Sequence, residues 1–214
     1  MQELALPFSK DQFFDVFAAY NSAMWPAQIA AYALASLALA VMWLWPKRAR
    51  VVVFGALAVM WGWTGVAYQM LFFAEINSIA VGFGVLFVVQ AALLLFYGLQ
   101  PSTLLFSRAA RGCLLGLVLI AYPTLIYPLI GLWNGHTYPA APVFGVTPCP
   151  LVIFTFGALL CLQHGAPWAL LAIPTLWSVV GGSAAFLLGV PQDWALPLAA
   201  AVAMAANVSL RRIA

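Results

Sequence analysis

From Asn77 to Leu99 the chain reads NSIAVGFGVLFVVQAALLLFYGL, twenty-three residues without a Lys, Arg, Asp or Glu. As a helix this stretch rises about 35 Å at 1.5 Å per residue, enough to cross the ~30 Å hydrocarbon core of a bilayer. It is typical of the whole chain. The 214 residues are 66% hydrophobic and 6% charged, with a mean hydropathy of +1.05. Soluble domains carry about 25% charged residues, and disordered chains are rich in charge and poor in aromatics. Both classes are excluded, leaving an integral membrane protein.

Working outward from 77–99, seven apolar segments can be marked: 24–45, 51–73, 77–99, 112–133, 149–164, 168–190 and 194–211. Charge sorting tests the count. With the N-terminus outside and seven crossings, Lys47, Arg48, Arg50, Arg108, Arg111, Arg211 and Arg212 all fall inside, as the positive-inside rule asks. The five acids, Glu3, Asp11, Asp15, Glu75 and Asp193, fall outside. Six or eight crossings break this sorting. The N-terminus lacks a basic run ahead of an apolar stretch, so the first membrane helix serves as its own insertion signal. The expectation is an all-α bundle of seven transmembrane helices over 24–214, N-out and C-in.

Residues 1–23 form a separate unit. Ser9 with Gln12 makes a capping box, and Phe13, Phe14, Val16, Phe17 and Tyr20 lie opposite Asp11 and Asp15 at helical spacing. This predicts a short amphipathic helix on the outer membrane surface. An internal repeat is also suggested. Trp25-Pro26 with Ile29 matches Cys149-Pro150 with Ile153, and Trp61 with Gly65 matches Trp177 with Gly181. Two parallel three-helix units joined by the fourth span, a 3+1+3 plan, would follow, as in several transporter families. Gly82, Gly84 and the run from Gly181 to Ala185 would let helices approach closely.

Function is less legible. Net charge is +3 and no basic run tracks phosphates, so nucleic-acid binding is unsupported. Cys113, Cys149 and Cys161 are too few for a disulfide framework. His136 and His164 belong to opposite sides of the bilayer, and no nucleophile has a base near it, so no catalytic residue is named and no enzyme is expected. Uncharged groups such as Gln28, Thr64, Gln69, Gln90 and Asn207 are the polar residues within the spans, which disfavours a proton-coupled pump. The densest polar-aromatic stretch runs from Gly135 to Pro150, with prolines at 139, 142, 148 and 150 stiffening it. Cys149 and His136 there make a soft-metal pair on paper, but a structural site wants about four ligands. No metal or other cofactor is assigned.

The strings Tyr20-Asn21 to Trp25-Pro26, Phe144-Gly145-Val146-Thr147-Pro148-Cys149-Pro150, Ile153-Phe154-Thr155-Phe156-Gly157 and Trp177 to Asp193 resemble an uncharacterised family of bacterial multi-pass membrane proteins. The resemblance implies a bacterial inner membrane and no activity. Two departures stand out: Gln69 occupies a place where a histidine is frequent, and Asn77-Ser78 one where Asn-Pro is common.

The candidate binding residues are therefore Tyr20, Asn21, Trp25, Gln69, Glu75, Asn77, His136, Tyr138 and Cys149, around a vestibule in the outer half. Binding or passive transport of a small solute leads. The rivals are an accessory subunit of a membrane complex, and soft-metal handling at the outer face. The bilayer and either a second copy or a complex partner are the expected partners.

Overall fold

The computed structural model describes residues 7–100 and 104–212; Glu3 and the start of the 1–23 unit lie outside them. Among the described residues the regular structure is all helical apart from one bridge, Phe106 to Leu162. The elements are α1 (Lys10–Ala23), α2 (Ala27–Leu44), α3 (Pro46–Trp63), α4 (Ala80–Leu99), α5 (Cys113–Ala121), α6 (Tyr127–Trp133), α7 (Pro148–Leu160), α8 (Trp168–Leu188) and α9 (Ala195–Arg212). α3 runs on through a π-helical stretch, Thr64–Phe72, and a short 3-10 turn. α5 reaches α6 through a second π-helical stretch, Tyr122–Ile126. Pro123 and Pro128 lack the N–H that an unbroken ladder would need there.

Six helical stretches are long and apolar enough to cross a membrane: Ala27–Leu44, Pro46–Glu75, Ala80–Leu99, Cys113–Trp133, Trp168–Leu188 and Pro191–Arg212. Their length and composition are those of membrane-crossing helices and point to a membrane protein. The segment expected at 149–164 is different. Its helix has 13 residues, about 20 Å long, and stops at Leu160. Every residue of it except Cys149 is buried, against α3, α5, α8 and α9. The surrounding helices turn Leu114, Leu129, Val179 and Leu198 outward, so α7 is the hub of the bundle.

Glycine sets two of the closest approaches. A Cβ on Gly65 would stand 2.8 Å from the Gly84 carbonyl oxygen, and one on Gly84 would stand 2.8 Å from that of Gly65. Gly116 and Gly157 do the same for α5 and α7, at 2.5 and 2.6 Å. A Cβ on Gly82, grouped with Gly84 on sequence, would meet nothing within 4 Å, so Gly82 plays no such part.

The topology gives the bundle two ends. One gathers α1, the 134–147 loop, the start of α7 and the turn before α9; it is called here the Asp193 end. The other holds Lys47, Arg48, Arg108, Arg111, His164 and Arg211, and is the basic end.

Candidate functional site

α1 begins at the Ser9/Gln12 capping box: Gln12 N donates to Ser9 Oγ at 3.2 Å and Ser9 N to Gln12 Oε1 at 2.8 Å. It spends its apolar face on the bundle. Phe17 stacks on Tyr68 with ring centroids 5.4 Å apart, Phe13 meets Phe73 edge-on at 6.0 Å, and Phe14 lies against the His136 ring at 4.4 Å.

Tyr20 and Asn21 stitch this helix down. The Tyr20 hydroxyl donates to Val146 O at 2.8 Å and accepts from Trp63 Nε1 at 2.9 Å; its burial raises the phenol pKa above the ordinary value. Asn21 Nδ2 donates to the carbonyls of Pro139 (2.6 Å) and Ala141 (2.8 Å). Tyr138 returns a bond to Asn21 O at 3.3 Å. The side-chain polar atoms of all three are engaged, with loop and helix backbone and with the Trp63 and Gln28 side chains.

Beneath α1 lies a cavity of about 250 Å³, walled by Phe13, Phe17, Tyr68, Phe73, Phe83 and Trp177, with Asn77 at its rim and Cys149 and Asp193 in its lining. Two local sequences place the last pair. Pro148 and Pro150 open α7 without the N–H groups that a buried helix start would leave unpaired. That sets Cys149 at the cavity, the one residue of α7 with access to open space. α8 ends at Gly189 in the left-handed conformation, φ +64°, with Val190 N donating back to Ala185 O at 2.9 Å. Pro191 then starts a 3-10 turn that turns Gln192 and Asp193 inward.

Asp193 is 3% exposed. The Tyr127 hydroxyl donates to its Oδ1, and the Cys149 thiol adjoins it. Within the described residues, no cation acts on this carboxylate. The Trp177 Nε1–H lies beside Gly181 and is directed at the same thiol.

A second hollow of about 220 Å³, lined by Tyr32, Tyr127, His136, Tyr138, Phe144 and Gln192, lies on the other side of the turn. The Tyr127–Asp193 contact therefore joins the linings of two cavities. His136 Nδ1 is 3.1 Å from Gln192 Nε2. Burial and the nearby Lys10 ammonium hold its imidazole below the usual pKa, against the effect of the Gln192 contact.

The expected residues thus separate. Cys149 and Asn77 border the α1 cavity, and His136 and Tyr138 border the second. Trp25 is 57% exposed beside a different groove, along α2 and α3. Glu75 is exposed, and Gln69 is fully buried with neither amide atom partnered. No three His, Cys, Asp or Glu among the described residues come together as metal ligands would. Asp193, Tyr127, Trp177 and Phe83 were not among the expected residues. The sequence signal for Asp193 is its outer turn, which corresponds to that of Glu75 and Asn77: together the three read as an acidic mouth or, equally, as solvated turn residues.

The chain belongs to a family of unknown function, DUF6064, which it matches over residues 10–214. No curated protein and no solved structure matches it.

Proposed function

Because family membership brings no activity with it, we propose, from the site itself, that this is a small-solute-binding protein of the bacterial inner membrane. Its binding site is the cavity under α1, with Cys149, Asn77, Trp177 and Asp193 in contact with solute. α1 serves as its lid, stitched by Tyr20, Asn21 and Tyr138. One observation carries the reading: a hollow under α1 with a carboxylate and a thiol set into an otherwise mainly apolar, aromatic-rich lining. A mostly apolar hollow with a few convergent polar groups is the usual form of a small-molecule site. We read α7 as a seventh, shortened crossing, with the N-terminus outside and the C-terminus inside. The Asp193 end then faces the periplasm, and passive passage would begin there.

Reactivity of Cys149 tests this. Cys113 and Cys161 are buried, at 2% and 0% exposure, so a membrane-impermeant maleimide applied to right-side-out vesicles should modify Cys149 alone. Labelling from the outside, slowed by a solute, supports both site and orientation. A Cys149 that stays unmodified until the protein is denatured, from either side, sinks the proposal.

A second reading, an accessory subunit or homo-oligomer, is favoured by the roughly 580 Å³ apolar groove along Ala27, Ala30, Leu34, Val59 and Trp63. Grooves of this kind mark contact surfaces as well as lipid sites.

A further inference from the structure

The cavity under α1 is unbalanced in charge. Asp193 has a hydroxyl and a thiol beside it and no cation among the described residues. A buried carboxylate without a counter-charge costs several kcal/mol in order of magnitude. The surrounding wall is aromatic, and ring faces attract cations. Trp177, 7% exposed, turns its buried N–H toward the Cys149 thiol, with no oxygen acceptor beside it.

A second, independent observation is the distribution of charge. Asp11, Asp15, Glu75 and Asp193 all belong to the Asp193 end, where Lys10 is the one cation among the described residues. Lys10 itself sits 5.9 Å over the Phe14 ring and is not part of the cavity lining. The positive-inside rule accounts for basic residues at the other end, but Asp and Glu contribute little to it. It leaves the acids unexplained. A field of that sign raises the local concentration of cations at the mouth.

We infer that the cavity receives the head of a small organic monocation, a substituted ammonium group, with Asp193 as its counter-charge and the Phe13, Phe17, Phe73 and Trp177 rings around its alkyl substituents. This rests on the solute-binding reading above and names the solute class. About 250 Å³ holds roughly eight water volumes, which suits a head of that size. A hard metal ion wants six or more oxygen ligands, and this wall is mostly carbon. The ammonium group can come from a free amine or from an aminophospholipid headgroup; the chemistry at Asp193 is the same.

The test uses the full chain in nanodiscs of phosphatidylglycerol alone, which carries no amine. Radiolabelled choline is the probe. The competitor is its neutral isostere, the alcohol in which a tert-butyl group replaces trimethylammonium. Choline should bind saturably, and a large excess of the isostere should not displace it. Asp193→Asn should weaken choline binding roughly 10- to 100-fold, the scale of a lost charge-assisted contact.

Displacement by the isostere as effective as by unlabelled choline would overturn the cation assignment and leave the cavity reading standing. Absence of saturable choline binding would also overturn it, with the cavity reading then judged separately by Cys149 labelling. Should Asp193→Asn fail to fold, the isostere comparison on the unaltered protein carries the decision. Adding phosphatidylethanolamine to the nanodiscs separates the sources. Competition with choline assigns the site to a lipid headgroup, and unchanged affinity assigns it to a free amine.

Discussion

Asn207 and Asp193, buried polar side chains at opposite ends of the bundle, are treated in opposite ways. At the basic end Asn207, 1% exposed, accepts from Ala166 N at 2.7 Å and donates to Ala166 O at 3.2 Å. Arg211 adds a bond to the same carbonyl at 3.0 Å. The turn after α7 is thereby fastened to α9. The sulfurs of Cys113 and Cys161 meet there at 2.8 Å. At the Asp193 end Gln192 Oε1 has no partner, and a carboxylate has no counter-charge. Satisfied polar groups fasten helices together, while unsatisfied ones around a hollow cost stability and persist where a ligand completes them.

The largest expected effect concerns Asp193. Asp193→Asn should cost roughly 10- to 100-fold in choline affinity, while the ligand-free protein keeps or gains thermal stability because an unpaired buried charge is gone. Equilibrium binding and thermal midpoints in the same nanodiscs read both. Asn207→Ala should do the reverse. It should destabilise by about 1–3 kcal/mol, since Ala166 N is left buried without an acceptor, and leave choline affinity unchanged; equal loss of affinity would erase the distinction between the ends. Phe13→Ala thins the lid. Loosening α1 by about 1 kcal/mol should speed maleimide labelling of Cys149 about fivefold, with Cys113 and Cys161 still unmodified.

The smallest effect belongs to His136. Its pKa is held low in the folded protein, so below about 6.5, the usual value, the unfolded chain binds the extra proton more readily. Stability is full above that pH and sags as pH falls through the window down to the folded pKa. His136→Asn should flatten that part of the thermal-midpoint profile.

What could be read beforehand was local. The capping box at Ser9 and Gln12 forms because it depends on residues three apart, and the long apolar runs become helices because their hydrophobicity is continuous. What escaped depends on distant parts of the chain meeting. Asp193 looks like a solvated turn residue until Tyr127, 66 positions away, and α1 close over it. Cys113 and Cys161 lie 48 residues apart, and no spacing brings them together. Tyr20 and Asn21 drew attention as polar residues in an apolar chain, yet their partners are backbone carbonyls of the long loop, whose path the sequence does not encode locally. The 149–164 segment was apolar enough for a span. Its burial on all sides comes from α3, α5, α8 and α9 packing round it, with α5 brought closest at Gly116 and Gly157, contacts between helices that composition cannot foretell.

One measurement bears on the central claim most directly: the thermal midpoints of ligand-free Asp193→Asn and Asn207→Ala beside the unaltered protein. Asn207→Ala should fall and Asp193→Asn should hold or rise, marking Asp193 as a group kept for a ligand. A fall in Asp193→Asn as large as that in Asn207→Ala would make Asp193 one more structural clamp and contradict the account.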